Sequence, residues 1–388
     1  MTKDKLNILF LPAWYPHKED SMFGLFVKKH ALALLPHANV SVIYVHAHAS
    51  EKNYEISINE KDGIFEIIVY FNKSNTMLLG KFINIFRMLI SYRKALKILK
   101  TTKGKTDVNH VHILTRAGII ALILKITQGT PYVITEHWSR YYSFNTTYKG
   151  WLRKAATKLV VRKASAMSTV SVSLKNAMNN IGINNPNWHI IPNSIDTSLF
   201  TNSNKSSNNN TVRMFHISCF EDKSKNVSGI IKAFEKAIKI NPNLELIMIG
   251  DGEDYNSIIE LSKELNLESK IEFTGVLEGE KLTEKVNSCD FLVMNSNYET
   301  FAIVIIESLS MGKAVISTDA GAIPEVLPKE FGIFIKPNDS DALSDAMLKM
   351  ADEYKNYNSD AMHEYARKHY DTIKVGEILN KFYIDTLS

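Results

Sequence analysis

Cysteines and long apolar runs are both scarce in this sequence, and each scarcity excludes a class of protein. Only two cysteines, Cys219 and Cys289, occur among 388 residues. We therefore expect no disulfide framework, and a reducing cytoplasm suits the chain. No apolar run reaches the roughly 18 residues that cross a bilayer. The short apolar run near the N-terminus is followed directly by charge and proline, which predicts a first strand and not a signal peptide.

Acidic residues are scarce in the first half of the chain only. Residues 1–195 hold 26 Lys and Arg against 10 Asp and Glu, a net charge of +16, and residues 196–388 hold 20 against 31, a net charge of −11, which together give +5. A basic half predicts an anionic partner, such as phosphate groups or a membrane surface. We do not expect nucleic acid as the partner, because no recognisable nucleic-acid-binding module is present.

Short strand-like runs alternate with helical patterns through both halves of the chain. The runs lie at 5–12, 39–47, 107–113, 131–137, 166–172 and 188–194, and then at 212–220, 244–252, 270–275, 290–295, 313–318 and 332–337. Most are apolar at nearly every position, as are strands buried on both faces. The alternation predicts parallel sheets with right-handed crossovers. Residues 54–71 instead alternate around "KDG", which predicts a hairpin.

The polar stretch "TNSNKSSNNNTV" (201–212) predicts a linker or an exposed loop between two domains. The predicted fold class is α/β, with two facing Rossmann-like domains that each contain a doubly wound parallel sheet. We expect one domain at 1–195, with a last helix at 371–388 packing back on it, and the other at 196–370. Ligands of such sheets bind at the carboxyl ends of the strands, so a cleft between the two sheets is the expected site.

The stretch "NYETFAIVIIESLSMGK" (297–313) follows a predicted strand and carries an acid near each end of an apolar helix. Glu299 lies in the loop after the strand, and Glu307 lies about two turns along the helix. Two acids so far apart cannot hold one metal ion, but they can hold two ends of an elongated ligand. The backbone N–H groups of Phe301, Ala302 and Ile303 offer an anion site between them. This arrangement suits a nucleotide-sugar, whereas the alternative is a core helix with a solvated Glu at each end.

A second turn after a strand, "MIGDGEDY" (248–255), contains Gly250 and Gly252. Glycine would let the backbone approach a ligand closely at these positions. An ordinary tight turn explains the pair about as well, because the third glycine of a dinucleotide fingerprint is missing.

Taken together, these motifs resemble glycosyltransferase family 4. The stretch from 295 to 327 is similar to its C-terminal signature with two Glu residues eight positions apart, "IIPNSIDTSLF" (190–200) to its interdomain segment, and "FTGV" (273–276) falls in the expected order. In the first half, "PAWYPHKEDSMFGLFVKKHALAL" and "TEHWS" fit the acceptor domain. The resemblance covers nearly the whole chain and implies a GT-B fold and retaining sugar transfer, with no metal and no cofactor besides the nucleotide-sugar.

The resemblance also implies roles for individual residues. Glu299, His137 and Lys225 would be catalytic, with Glu299 at the donor sugar, His137 near the transferred sugar and Lys225 at the diphosphate. The residues implied to bind the donor are Gly24, Lys223, Gly250, Gly252, Val276, Phe301, Ala302, Ile303 and Glu307, the last at the ribose hydroxyls.

The sequence departs from the family pattern at two places. An Arg that usually precedes the diphosphate Lys is absent, with Cys219 near its place, and Lys223 is its expected substitute. Ala302 stands where the family usually has Gly, which narrows the expected sugar pocket. His110 and His112 alternate on one strand with Asp107, but no third metal ligand stands at a convincing spacing. His112 is therefore expected to be structural.

These observations predict a cytoplasmic retaining hexosyltransferase that uses a UDP- or GDP-sugar to build a surface glycan, such as lipopolysaccharide, capsule or exopolysaccharide, on a lipid-linked or polysaccharide acceptor. Two alternatives stay open at this stage. One is another enzyme on the same fold, such as a nucleotide-sugar epimerase or an α-glucan phosphorylase, although a phosphorylase needs a much longer chain. The other is a non-catalytic subunit that binds a nucleotide-sugar.

Acid-free basic helices give the first half a further expectation. Residues 81–105 hold eight Lys and Arg and no acid, with Phe82, Ile85, Phe86, Leu89 and Ile90 at helical spacing, and residues 151–163 are similar. A basic amphipathic helix can lie on the anionic inner face of a membrane. In the alternative interpretation, the apolar stripe belongs to the core and the Lys face is solvated.

Overall fold

The computed structural model describes residues 5–49, 52–114, 116–201 and 211–387. The chain divides into two compact units, the first made of Met1–Ser194 with Thr372–Ser388 and the second of Ile195–Asp371. The predicted linker at 201–212 lies mostly outside the described residues. Each unit contains one sheet, with helices connecting its strands.

The first unit contains an eight-stranded sheet in the order β3-β4-β2-β1-β5-β6-β7-β8. Its strands are β1 (Leu6–Pro12), β2 (Ala38–His48), β3 (Tyr54–Lys61), β4 (Ile64–Asn72), β5 (Val108–His112), β6 (Tyr132–Glu136), β7 (Ala166–Thr169) and β8 (Trp188–Ile190). All neighbours pair in parallel except β3 and β4. The order reverses between β1 and β5, so the carboxyl ends of these two strands form the switch point of the sheet.

The predicted hairpin is β3–β4, in which Lys61 pairs with Ile64. Asp62 and Gly63 form its turn, with φ angles of 57° and 83°. Positive φ at both central residues is the requirement of a tight two-residue hairpin turn, and Asp-Gly meets it at low cost.

The described residues of the first unit form six α-helices that connect its strands or cover its sheet. They are α1 (Leu25–Leu34), α2 (Met77–Thr102), α3 (Arg116–Gln128), α4 (Trp151–Lys163), α5 (Val172–Asn180) and α14 (Thr372–Leu387). The last helix, α14, packs directly on α1, since a Cβ on Gly376 would stand 2.1 Å from the Ala33 carbonyl oxygen. Its Tyr383 hydroxyl reaches His110 on β5 at 2.5 Å.

The second unit contains a six-stranded parallel sheet in the order β11-β10-β9-β12-β13-β14. Its strands are β9 (Val212–Ile217), β10 (Leu244–Ile249), β11 (Ile271–Gly275), β12 (Phe291–Val293), β13 (Ala314–Thr318) and β14 (Gly332–Ile335). Its helices are α6 (Asp222–Lys225), α7 (Val227–Ile240), α8 (Tyr255–Glu264), α9 (Gly279–Asn287), α10 (Ile303–Ser310), α11 (Ile323–Val326), α12 (Ser340–Glu353) and α13 (Ser359–Tyr370). This order reverses between β9 and β12, so the edge after these two strands is the second switch point.

Helix α2 contradicts one of the two interpretations of its apolar stripe. Phe82 is 72% exposed and Phe86 is 65% exposed, and Ile85 and Leu89 are exposed as well. The buried face of this helix is formed instead by Met88, Ser91, Tyr92, Ala95 and Leu99. The four exposed residues of the apolar stripe, in the first half of the helix, thus face solvent. The interpretation that places this stripe in the core is therefore wrong. No helix in the described part of the chain has the length and hydropathy needed to span a bilayer.

Candidate functional site

The centre of the candidate site in the second unit is an ion pair between Lys225 and Glu299. The Lys225 Nζ atom lies 2.5 Å from a carboxylate oxygen of Glu299, and the Ser296 hydroxyl donates to the same oxygen at 3.0 Å. Lys225 ends α6, which follows β9, and Glu299 lies in the loop after β12. Since β9 and β12 are neighbours in the sheet, the pair lies at the switch point, where open parallel sheets bind their ligands.

Glu299 is held rigidly by its surroundings. Its side chain is buried, and its carbonyl oxygen accepts the Ala322 N–H at 3.0 Å. A Cβ on Gly321 would stand 2.2 Å from that carbonyl oxygen, so only glycine fits there. Burial alone lowers the pKa of the Lys225 ammonium, but the neighbouring Glu299 carboxylate outweighs that effect and raises it. The Lys225 ammonium is therefore charged at neutral pH.

Of the three residues expected to offer N–H groups to an anion, only Ile303 lies within helix α10, which runs over Ile303–Ser310. Ala302 is the N-cap, with φ 63° and ψ 65°, and Phe301 precedes it. A non-glycine residue rarely adopts this left-handed conformation. The family preference for Gly at this position therefore has a backbone reason in this chain, beyond the width of a sugar pocket.

Glu307 lies in α10 and is half-buried between the buried residues Ile306 and Ser308. Ahead of it, Phe301 is buried, with its ring against Tyr370 at 5.8 Å. Ile303 begins the helix, so its N–H group belongs to the first turn, whose N–H groups have no acceptor within a helix. The N-terminus of α10 is therefore suited to an anion.

The glycines predicted to bind the donor have packing roles in the structure. A Cβ on Gly250 would stand 1.9 Å from the Ser218 carbonyl oxygen, and a Cβ on Gly252 would stand 2.6 Å from the Phe220 nitrogen. In the first unit, a Cβ on Gly24 would stand 2.4 Å from the Trp14 carbonyl carbon and oxygen. Close backbone packing thus explains all three glycines, and their contact with a donor stays a prediction.

Two other predicted residues are exposed and do not join the buried pair. Lys223 is exposed on α6, where its carbonyl oxygen accepts a hydrogen bond from the Asn297 amide at 3.0 Å. Val276, just after β11, is exposed. Cys219, which stands near the place of the missing Arg, is exposed as well. Neither Lys223 nor Cys219 forms an ion pair with a described residue, so the substitution of Lys223 for the family's Arg stays a prediction.

In the first unit, His137 belongs to a buried cluster of histidines. Its Nε2 atom lies 3.3 Å from Nδ1 of His112, and its ring packs on Phe26 at 4.6 Å between centroids. His30 lies beside them and donates through Nε2 to the Pro192 carbonyl at 3.0 Å. Burial lowers the pKa of His112 and His137 well below the ordinary value, and that of His30 to about 4. All three are therefore neutral at physiological pH, so His137 can exchange hydrogen bonds but is not a cation.

The sequence pattern does not identify His30 as a member of this cluster. His30, His112 and His137 lie close enough together to hold a metal ion, and a second, separate group of His17, Glu19 and His46 does as well. His30 lies on helix α1, far from His112 in the sequence. The spacing around His110 and His112 therefore does not predict that it lies beside them. His112 also has fewer hydrogen bonds than a purely structural histidine would be expected to have, because its Nε2 atom is buried without a described partner.

Glu136, at the end of β6, organises the loop that carries His137. Its carboxylate accepts the N–H groups of His137 and Trp138, each at 2.9 Å, and that of Leu114 at 2.8 Å. The Tyr141 hydroxyl adds a fourth bond at 3.1 Å. This acid is buried and fully occupied, so it fixes the loop and is not free for chemistry.

The chain contains one D-x-D sequence, at 339–341, and its carboxylates are engaged elsewhere. The Asp339 side chain caps α12 by accepting the Ala342 N–H at 2.9 Å. The Asp341 carboxylate lies 2.5 Å from the Lys236 ammonium. These two acids therefore have structural roles in the second unit.

The chain matches two family models that lie side by side along it. Residues 30–199 match the model described as "Glycosyltransferase Family 4", and residues 201–369 match "Glycosyl transferases group 1". One curated relative, from Arabidopsis thaliana, is a component of phosphatidylinositol N-acetylglucosaminyltransferase and is 24% identical over 262 residues. That match covers 67% of this chain and 58% of the relative, so this chain spans little more than half of it.

Solved structures show the same fold at low sequence identity. Sucrose-phosphate synthase from Thermosynechococcus elongatus superposes with a TM-score of 0.76 at 16% identity, covering 98% of this chain and 99% of that one. Anabaena HepE, solved in complex with UDP and glucose, superposes with a TM-score of 0.72 at 17% identity, with coverage of 98% and 99%. The two Rossmann-like sheets are thus the GT-B fold, and the chain belongs to the family 4, group 1 glycosyltransferases.

Proposed function

We propose that this protein is a retaining glycosyltransferase that takes a sugar from a nucleotide-sugar donor bound to its second unit. The observation that carries the proposal is the Lys225–Glu299 pair at the switch point between β9 and β12. A half-buried cation and a buried acid at that edge give an elongated anionic ligand a partner for its diphosphate and another for a sugar hydroxyl.

In this proposal each residue of the second unit has one task. Lys225 and the N-terminus of α10 stabilise the negative charge that grows on the departing diphosphate. Glu299 orients the transferred sugar, and Glu307 accepts hydrogen bonds from the ribose hydroxyls. The departing phosphate can itself take the proton of the acceptor, so the reaction does not need a strong base.

His137 fits a supporting role in the first unit. Because burial holds its pKa well below the ordinary value, the neutral ring can donate or accept one hydrogen bond to a sugar hydroxyl. A metal ion has no assigned role in this proposal. The domain roles follow: the second unit binds the donor, and the first unit, with α14, binds the acceptor.

A donor panel tests the proposal. Thermal-shift and calorimetric titrations with UDP-, GDP- and ADP-sugars should single out one base, and ¹H NMR of the product should show the anomeric configuration of the donor retained. An inverted product would contradict the retaining assignment. A retained configuration with slow release of free sugar from the donor alone would agree with it.

The two alternative functions give different results in the same experiments. A nucleotide-sugar epimerase would change the donor in the absence of any acceptor, and its turnover would not transfer the sugar. A non-catalytic binding protein would bind a nucleotide-sugar but turn over none of it against any acceptor. The Lys225–Glu299 pair fits both a transferase and a binding protein, because a cation at the diphosphate stabilises the bound donor as well as the departing group. Turnover with an acceptor therefore separates these two functions.

We also propose that the first unit lies on the anionic inner face of a membrane, where a lipid-linked acceptor for a surface glycan would be reached. The unit carries 28 Lys and Arg against 12 Asp and Glu, a net charge of +16. Exposed Phe82 and Phe86 accompany the exposed cations Arg93, Lys94 and Lys97 on α2. Basic and apolar groups on one helix are what an anionic bilayer surface binds.

A further inference from the structure

A cavity of about 510 Å³ opens in the first unit at the carboxyl ends of its strands. The residues after β1 and after β5 contribute to its wall, so it lies at the switch point of the eight-stranded sheet. Ligands of open parallel sheets bind at this place. Helices α2 and α4 close its sides through Tyr92 and Val160, among others.

The charge of the cavity has one sign. Its lining includes three arginines, Arg116, Arg140 and Arg153, and no Asp or Glu. Among the described residues, no carboxylate lies within 4 Å of any of these guanidinium groups. Three unpaired cations around one cavity favour an anionic ligand, and the planar fork of Arg suits a phosphate or carboxylate group.

The Arg140 side chain is held in a fixed position beside the cavity. It is only 6% exposed, and its guanidinium carbon lies 3.4 Å from the centroid of the Trp138 ring. One terminal nitrogen donates to the Leu114 carbonyl at 3.3 Å, whereas Nε is buried without a described partner. Glu136, at the end of β6, accepts hydrogen bonds from four other donors, so it does not satisfy Arg140. A buried guanidinium with a free donor is costly unless a ligand completes it.

Apart from Tyr92 and Thr157, the rest of the wall is apolar. Its apolar residues include Val45, Ala47, Phe71, Met88 and Ile119, and Trp14 lies against Trp138 at 5.0 Å between ring centroids. A fully hydrated sugar or a free inorganic anion gains no favourable contact with an apolar wall of this extent. It suits a hydrocarbon chain attached to the anionic group.

The exposed apolar face of α2 continues this wall. Met88 and Tyr92 line the cavity, and Ile85 and Leu89, less than one turn away from Met88, are exposed on the same helix. Ile119, on α3, lines the cavity and is itself exposed. A chain lying in the cavity would therefore leave it across a surface that is already apolar.

We propose that this cavity binds the junction of an anionic lipid acceptor, with its phosphate or diphosphate on Arg116, Arg140 and Arg153 and the first carbons of its chain along the apolar wall. The inference rests on the proposed transferase function and names the class of its acceptor. Arg140 and the two tryptophans fix the anionic group, and the apolar wall distinguishes a lipid phosphate from a free one.

Tryptophan fluorescence of the full chain tests the proposal directly, because Trp14 and Trp138 are two of only four tryptophans. We would titrate farnesyl phosphate, inorganic phosphate and farnesol separately, below the micelle concentration of the lipids. The expected result is saturable quenching by farnesyl phosphate, with binding at least about tenfold weaker for each of the other two probes.

Two variants and one control locate the binding. Arg140→Gln and Arg116→Gln should each weaken farnesyl phosphate binding by about tenfold or more. Arg116 is exposed at the start of α3, so its variant keeps the test valid even if the buried Arg140→Gln variant unfolds. Arg162→Gln removes an exposed cation of α4 outside the cavity, and it should bind like the wild type.

Each outcome is decisive. Equal affinity for farnesyl phosphate and inorganic phosphate would overturn the lipid part of the proposal, and unchanged binding by both arginine variants would overturn the site. Donor binding in the second unit, measured by calorimetry in the same samples, separates this failure from a failure of the transferase function. If donor binding is intact while farnesyl phosphate does not bind, only the acceptor inference falls.

Discussion

The Lys225 ammonium and the Glu299 carboxylate, 2.5 Å apart, join helix α6 to the loop after β12, and these two segments follow neighbouring strands of the second sheet. Each side chain is mostly buried, with 18% and 9% of its surface exposed. A pair in this position can serve the fold, a ligand or both. The two roles separate when the charges are removed singly and together.

Lys225→Met should lower the free energy of unfolding by about 3 kcal/mol, because it leaves the Glu299 carboxylate buried without its cation. The double variant Lys225→Met/Glu299→Gln should recover most of that loss, since neither charge remains. Donor affinity should stay low in both variants, because the cation for the diphosphate is absent. Urea unfolding and calorimetry measure the two quantities. Recovery of donor binding in the double variant would show that the pair is only structural.

Stability should fall as the pH falls below about 6.5, because several buried histidines cannot take up protons in the folded state. Burial lowers the pKa of both His30 and His216 from 6.5 to about 4, a difference worth about 3 kcal/mol for each group. The unfolded chain binds these protons near pH 6.5, so the stabilisation is complete above that pH and is lost between 6.5 and 4.

Melting temperatures at pH 7.5 and 5.0 test this pH dependence. His216→Asn removes one of the groups and keeps a donor for the Val293 carbonyl, which His216 Nδ1 contacts at 2.8 Å. The gap between variant and wild type should therefore be smaller at pH 5.0 than at pH 7.5. A gap of the same size at both pH values would contradict the assignment.

The basic helix α2 should bind anionic vesicles through its exposed cations and its exposed apolar residues. Arg93, Lys94, Lys97 and Lys100 are exposed, whereas Arg87 is engaged with the Asn72 carbonyl at 2.5 Å and is excluded from the set. Each cation near such a surface contributes about 1 kcal/mol, and the sum is sensitive to salt.

Changing these four residues to Gln should reduce sedimentation with anionic vesicles but leave hydrolysis of the donor in solution unchanged. Phe82→Ser/Phe86→Ser should reduce binding as well, and less of that loss should depend on salt. Equal sedimentation of wild type and the four-residue variant would contradict the membrane proposal and would mean that the cations of α2 are simply solvated.

Removal of divalent metal ions should leave sugar transfer largely intact. Both carboxylates of the D-x-D sequence are engaged by Ala342 and Lys236, and Glu299 is paired with Lys225. Initial rates with EDTA, and again with added Mn²⁺ or Mg²⁺, measure the effect. An absolute requirement for either ion would contradict the proposed mechanism and direct attention to the two histidine groups of the first unit.

Much of the fold is predictable from the sequence because strands buried on both faces have a strong local signal. Each predicted run coincides with an observed strand, and the Asp62-Gly63 turn of the hairpin has the expected positive φ angles. The ends of elements are less predictable. The run "AMSTVSV" predicts a strand to 172, but β7 stops at Thr169 because Ser171 caps α5, accepting the Leu174 N–H at 3.2 Å.

The site is predictable only where a residue follows a strand directly. Glu299 has such a position, and the sequence pattern places it in a loop after a strand. Its pairing with Lys225 depends on β9 and β12 being neighbours, which local sequence does not reveal. Helical spacing likewise identifies the apolar stripe of α2 but not which way it faces, because that depends on what the rest of the unit offers to cover it. The cluster of His30, His112 and His137 joins three separate elements and has no local signal at all.

The most direct test of the central claim is calorimetric titration of the preferred nucleotide-sugar into wild type, Glu307→Ala and the control Glu264→Ala. Glu307 lies in α10 of the switch-point site, whereas Glu264 is exposed at the end of α8. The account predicts that Glu307→Ala loses about 2–3 kcal/mol of binding free energy, as expected when a charged acceptor for ribose hydroxyls is removed, and that Glu264→Ala matches the wild type. Equal affinity in all three proteins, each with an unchanged melting temperature, would contradict the account.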